Sequence, residues 1–356
     1  MKSEVCQRSS HIPAEALPMD PACDPDHPRK ITFSDISSAA FNTKNGSPNL
    51  SKMLGMDLYF KKEYLQVTGS FKERGARYAL TRLTKEEREI GVIAASAGDR
   101  VSFFKEKRRD ISWTTQAFKY NTIGIHLGNH ALALSYHGQQ LNIPVTVVMP
   151  VFAPLMKIGM CRSYGANVIL KGDNIGEAKG HAMKLVAEKK YKYINGYDHP
   201  DILAGQGTIG LEILEQVPDV DAIIVPVGGA GLIAGIAVAV KTLKPQAVES
   251  DSCPSYTEAI KAGKPVMAIC KSTLADGLAV PMVGGNALAS LEGLVDKSVV
   301  VCEESTALSI LRLIEMEKVN NLKVKLGIQA AVVEGGGAVG LAALISGQLP
   351  ELQGKK

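Results

Sequence analysis

Aromatic residues are scarce in this chain of 356 residues: they make up 5%, with one tryptophan, Trp113. Surfaces that stack bases need exposed aromatics, so single-stranded nucleic acid is not an expected partner. Charge of one sign is missing too. Forty Lys and Arg against 36 Asp and Glu leave a formal net charge of +4, too little to build a field for nucleic acid or an anionic membrane. Cysteines are few and scattered, and Cys6, Cys23, Cys161, Cys253, Cys270 and Cys302 show no CxxC spacing. Reduced thiols, no metal site and a cytoplasmic setting are the expectation. No histidine pair among His130, His137, His181 and His199 has ligand spacing with cysteines or carboxylates. The N-terminus shows no apolar leader. One uncharged run, Ala222 to Val240, holds a Gly231…Gly235 match to the packing motif of membrane helices. Pro226 and a glycine cluster interrupt it after a strand's length, so no membrane span is expected.

What the chain does have is 46% hydrophobic residues and 34 glycines, a composition that suits an α/β protein with many tight turns. Residues 1–29 carry Pro13, Pro18, Pro21, Pro25 and Pro28 among polar residues and read as a disordered lead-in. Beyond them, strand and helix patterns alternate. Strands are expected at Asp57–Lys61, Gly91–Ala95, Pro144–Met149, Ala166–Leu170, Ala222–Val227 and Ala330–Glu334. Helices are expected from Lys72 to Leu83, Asn129 to Leu141 and Pro154 to Tyr164, with another opening near Ile202 and capped by Asp198, His199 or Asp201. Such alternation implies parallel twisted sheets, right-handed crossovers and a ligand site beyond the strand C-termini. The expected organisation has two lobes, a large one of residues 30–84 and 173–356 and a small one of residues 85–172.

Two segments carry the chemistry. Lys72 stands in Gly69-Ser70-Phe71-Lys72-Glu73-Arg74-Gly75-Ala76, between an aromatic residue and a helix start. A lysine held partly out of water loses its proton more readily and can form a Schiff base with a carbonyl. The second segment runs from a buried strand into Gly228-Gly229-Ala230-Gly231-Leu232 and then a helix. Its backbone N–H groups and the positive helix end make a phosphate cradle. A lysine partner with a separate phosphate cradle is what pyridoxal 5'-phosphate requires.

With those residues in view, the chain resembles the serine/threonine dehydratases (ammonia-lyases) of the tryptophan-synthase-β-like pyridoxal phosphate enzymes, with serine racemase as close kin. The text that carries the resemblance is Ser70 to Ala76, Ser96-Ala97-Gly98, Asn129-His130, Gly205-Gln206-Gly207-Thr208, Gly228 to Leu232, and Thr273 to Gly277. The resemblance implies the two-lobed α/β fold of that group, an amino-acid substrate and a homo-oligomer, dimer or tetramer. By the same resemblance Lys72 binds the cofactor and shuttles the Cα proton, while Phe71 packs on the pyridine ring and Ser70 lies on the reacting face. Gly228, Gly229, Ala230, Gly231 and Leu232 hold the phosphate. Asn129 bonds the 3'-oxygen, Gly277 lines the cofactor edge, and Ser96, Ala97, Gly98 and His130 form the loop for the substrate carboxylate. The implied reaction is β-elimination, giving 2-oxobutanoate or pyruvate plus ammonia.

Departures from the family pattern are visible. Ser-Ala-Gly is followed directly by Asn-His in the family, whereas Asp99 to Gly128 intervenes here. The chain stops at Lys356 without the Ser/Cys-Gly-Gly-Asn turn that meets the pyridine nitrogen. Ala97 stands where the racemase has a serine, and a methyl cannot donate a proton, which ranks dehydration above racemisation. Glu249 matches one acidic position of the racemase cation site, but the later one is Ser255. A pyridoxal phosphate binder without activity is the competing reading, and Phe71 disfavours a β-replacement synthase. Gly335-Gly336-Gly337-Ala338-Val339-Gly340 matches GxGxxG, but no acidic residue follows at the spacing a dinucleotide site needs, so close helix packing is expected.

Overall fold

The computed structural model of the chain describes residues 48–96, 128–316 and 333–356. The expected lead-in, most of the 99–128 segment, Ala97 and Gly98, and all but the end of the 330–334 strand lie outside the described residues. The chain enters through α1 (Pro48–Leu54). A strand is expected at Asp57–Lys61, but only an isolated bridge forms there, at Tyr59. Leu58 and Phe60 do pack inward against the core, so the alternation is real. The Asp57 N–H bonds to the Lys355 carbonyl and the Leu58 N–H to Ser51 Oγ, which replaces a strand ladder.

Next come α2 (Lys72–Arg82), α3 (Lys85–Ile90), β1 (Val92–Ala95), α4 (Asn129–Leu141), β2 (Val145–Met149), α5 (Leu155–Ser163), β3 (Asn167–Leu170), α6 (Ile175–Lys189) and β4 (Lys192–Tyr193). Thr84 and Glu87 form a reciprocal capping box that starts α3. The four strands form one parallel sheet in the order β3-β2-β1-β4. It takes in Lys192 and Tyr193, beyond residue 172 where the small lobe was expected to end. One face is covered by Ala178, Ala182 and Met183 of α6. The other packs on α4 and α2 through Leu132, Leu134, Ala76 and Leu80. Covered on both faces, β1 and β2 are apolar nearly throughout, as parallel strands are.

The rest of the chain supplies α7 (Pro200–Gln216), β5 (Ile224–Pro226), α8 (Gly231–Val240), β6 (Gln246–Ser250), α9 (Ser255–Ala262), α10 (Gly285–Ser290), β7 (Lys297–Val301), α11 (Glu303–Met316) and α12 (Gly335–Ile345). A second parallel sheet has the order β5-β6-β7. His199 caps α7, its ring nitrogen accepting from the Asp201 N–H.

Helix α7 joins the two halves of the site. A methyl added to Gly205 would stand 2.5 Å from the Gly75 Cα of α2, and one added to Gly235 of α8 would stand 2.3 Å from the Leu203 carbonyl oxygen. Helices α2 and α8 therefore lie backbone to backbone on α7, one carrying Lys72 and the other the glycine loop. The Gly231…Gly235 spacing serves this contact. Among the described residues no helix is long and apolar enough to cross a membrane.

Arg74, two residues after Lys72, locks the same junction. Its guanidinium is bidentate to Glu212 of α7 at 2.6 and 2.8 Å and to Glu63 at 2.8 Å on both contacts. Lys61 also bonds to Glu212.

One expectation is overturned. The structure joins Cys253 to Cys270 as a disulfide, with Cα atoms 4.4 Å apart, rather than leaving all cysteines reduced. The Lys271 N–H donates to the Ser252 carbonyl at 2.7 Å and brings the two segments side by side, a pairing that a separation of 17 residues does not announce.

Candidate active site

Lys72 opens α2, and Phe71 before it packs, with Leu232, against the core beneath α8. The Lys72 side chain is half-buried, but its amine lies deep and donates to the Gly196 carbonyl at 2.6 Å. Desolvation lowers the amine from its ordinary value to about 8. Within reach of neutral pH, a useful fraction is uncharged and nucleophilic. Ser70 Oγ, beside it in sequence, is buried without a partner among the described residues.

The glycine loop leaves β5 and turns through Ala230, which adopts a left-handed φ of 68°. Helix α8 then begins at Gly231. First-turn N–H groups of a helix have no partner within the helix and concentrate positive charge. The loop leans on Tyr197, the residue after Gly196. A methyl on Gly229 would come within 2.4 Å of the Tyr197 ring, and one on Gly231 within 2.1 Å of its carbonyl oxygen. The Gly196-Tyr197 pair thus touches Lys72 through one residue and the loop through the next.

The contacts close into a circuit. A methyl on Gly228 would meet the Leu278 backbone at 3.0 Å, and one on Gly277 would lie 3.2 Å from Glu334 Oε2. Glu334 Oε1 accepts from Asn129 Nδ2 at 2.7 Å. His130, the next residue, presses its ring on Gly196, where an added methyl would stand 2.7 Å from the imidazole. Lys72, Gly196, Tyr197, the glycine loop, the 276–278 turn, Glu334, Asn129 and His130 therefore form one connected rim. Asp276 holds its own turn by accepting the Gly277 N–H at 2.8 Å.

His130 serves this rim as a brace. It is buried, and its Nε2–H donates to the Ile194 carbonyl at 2.9 Å. Burial, then the Lys72 charge, pushes its pKa down to about 3, so the ring is neutral at working pH. Ser96 is buried at the end of β1, and its N–H donates to the Val148 carbonyl at 3.1 Å. Ala97 and Gly98, the remaining residues expected in the substrate loop, lie outside the described residues.

Gly196, Tyr197 and Glu334 of the rim, and Lys157 beside it, escape sequence reasoning. Glu334 precedes a glycine run that reads as helix packing, and packing is what Gly335 does, since a methyl there would stand 2.0 Å from the Leu274 carbonyl oxygen. Lys157 donates to Asn129 Oδ1 at 3.0 Å, yet its sequence neighbours Leu155 and Met156 are exposed and give it the look of a surface lysine. Glu249 accepts from the Tyr256 and Thr257 N–H groups and from Thr257 Oγ1. No group of three or more possible metal ligands occurs among the described residues.

A family model described as pyridoxal-phosphate dependent enzyme matches residues 40–102 and 119–355. The chain belongs to that family. The stretch between the two matched segments falls inside the 99–128 segment that departs from the family pattern. An L-threonine ammonia-lyase of Thermotoga maritima is 37% identical over 338 residues, covering 92% of this chain and 73% of the relative. Among solved structures, the processed form of threonine deaminase isoform 2 from Solanum lycopersicum superposes with a TM-score of 0.75 at 31% identity, covering 91% of this chain and 85% of that one. Serine racemase from Dictyostelium discoideum gives a TM-score of 0.73 at 27% identity, covering 91% and 94%. The fold is that of these pyridoxal-phosphate dependent enzymes.

The rim fits the family's cofactor. It offers a desolvated amine, a buried hydroxyl two residues earlier in the chain with no partner among the described residues, and a glycine turn at a helix N-terminus. An aldehyde with an anionic phosphate needs the amine and the turn.

Proposed function

We propose that the chain is an L-threonine/L-serine ammonia-lyase that works by β-elimination, giving 2-oxobutanoate or pyruvate plus ammonia. The observation that carries this reading is the Lys72 amine, lowered to about 8 and tied through Gly196 and Tyr197 to the glycine loop. The relatives that bear ammonia-lyase and deaminase names support the reaction class. Bound pyridoxal phosphate supplies the electron sink that disperses charge from the substrate Cα. Lys72 takes the Cα proton, since an amine with a pKa near neutrality can both accept and return one. Ser70 lies beside Lys72 toward the reacting face. Gly228 to Leu232 seat the phosphate, Asn129 holds the 3'-oxygen, and Ser96 begins the loop for the substrate carboxylate. Ala97 offers no proton donor for the opposite face, which favours elimination over racemisation.

Two lobes, 30–84 with 173–356 and 85–172, form the organisation in this reading, with β4 (Lys192–Tyr193) reaching across to join the sheet of the small lobe. Homo-oligomeric assembly is carried over from the resemblance alone, and a cytoplasmic setting from the scattered cysteines, two of which, Cys253 and Cys270, the structure pairs.

A second reading, a chain that binds cofactor without turnover, is favoured by the unmatched stretch after Ser96. Ammonia release from L-threonine and L-serine by the cofactor-loaded chain separates the two. Elimination gives ammonia and 2-oxo acid in equal amounts. A visible absorbance band with no ammonia leaves binding alone, and D-serine formed without ammonia sinks the lyase assignment in favour of a racemase.

A further inference from the structure

Asn129 lies between two groups of opposite hydrogen-bonding character. The Lys157 ammonium can only donate, and it faces Asn129 Oδ1 at 3.0 Å. The Glu334 carboxylate can only accept, and it faces Asn129 Nδ2 at 2.7 Å. Turning the amide over would set its NH2 against an ammonium and its oxygen against a carboxylate, losing both bonds. An asparagine side chain elsewhere can choose between its two orientations, but this one has only one available.

Lys157 comes from α5, Asn129 from the start of α4 and Glu334 from the residue before α12, so three separate elements fix one amide. A second contact supports the closeness of α5. A methyl on Gly128, the residue before Asn129, would stand 3.7 Å from Lys157 Cβ. Lys157 also faces Asp276, on the neighbouring turn, and Cys161 on its own helix, and burial lowers its pKa.

We propose that Lys157 is a positioning residue for the cofactor: by holding Asn129 Oδ1 it commits the amide to present its donors, not its carbonyl, to the cofactor's 3'-oxygen. This rests on the proposed role of Asn129 in the site above. With Lys157 gone, Glu334 alone opposes inversion of the amide, and an inverted amide turns an oxygen toward an anionic oxygen, which repels it.

The test is a double-mutant cycle read by cofactor binding. Pyridoxal phosphate is titrated into the wild-type chain, Lys157→Met, Lys157→Arg, Asn129→Ala and the Lys157→Met/Asn129→Ala double variant. The Kd and the position of the visible band are recorded, and melting of each cofactor-free chain serves as the folding control. Lys157→Met is expected to weaken binding about tenfold, the effect of one charge-assisted hydrogen bond, and to shift the band. Lys157→Arg should restore most of both. In the Asn129→Ala background, loss of Lys157 should add nothing. Equal Kd and band for wild type and Lys157→Met overturn the proposal, as do additive effects in the cycle. If Lys157→Met does not fold, failure of Lys157→Arg to keep the wild-type band overturns it. A wild-type chain with no visible band overturns the site reading itself, an outcome distinct from the others.

Discussion

Lys72 is reactive for the same reason that it strains the empty chain. Its amine is charged below a pKa of about 8 and poorly hydrated where it sits. The folded value lies below the value of about 10.4 for an unfolded lysine, so the unfolded chain binds more protons between the two. Stability of the cofactor-free chain should therefore rise as pH climbs from 8 to 10, and the penalty is complete below 8. Lys72→Met should stabilise the cofactor-free chain at pH 7 by on the order of 1–3 kcal/mol and flatten that rise. Denaturant unfolding at pH 7 and pH 10 checks it, and a destabilised variant at pH 7 would count against a desolvated amine. Cofactor uptake needs the uncharged amine, so its rate should climb about tenfold per pH unit up to pH 8 and level off above. At this scale the sequence was informative where a residue announces its chemistry, as with Lys72 and the glycine loop. Glu334 and Lys157 were hidden because their roles come from partners more than a hundred and nearly thirty positions away in the chain, respectively.

At the scale of elements, the site depends on α7 holding α2 and α8 at backbone contact. Gly205→Val puts branched carbons where a single methyl already meets Gly75 at 2.5 Å. Cofactor affinity should fall by at least tenfold and the melting temperature should drop, whereas wild-type values for both would argue against close α2–α7 contact. The Arg74–Glu212 pair makes the same joint rigid. Glu212→Gln breaks a buried bidentate pair and should cost about 3–5 kcal/mol, measured by equilibrium unfolding at pH 7. The helix patterns for α2, α4 and α5 were legible because their apolar residues recur with helical spacing and meet clear starts. The strand expected at Asp57–Lys61 was not, because a short alternating run looks the same whether it joins a sheet or lies extended on a core. The Cys253–Cys270 contact depends on a loop return that local spacing does not encode.

For the whole molecule, acid should act on the joint between its two sheets. Burial raises the carboxyls of Glu212 and Glu73, but for each the hydrogen bonds win: Arg74 and Lys61 hold Glu212 below the usual carboxylate range, and His137 and Thr68 do so for Glu73. Groups depressed on folding stabilise fully above their unfolded value of about 4.3 and lose that contribution as pH falls through the folded value. Stability should hold down to pH 5 and decline below it, and Glu212→Gln should make the decline shallower. The parallel architecture could be read from alternating strands and helices, and the family from its ordered motifs. Borohydride reduction of the cofactor-loaded chain, followed by peptide mass spectrometry, tests the central claim most directly. The account predicts one pyridoxyl group, on Lys72. A label on Lys157 or another lysine, with Lys72 unmodified, would contradict it.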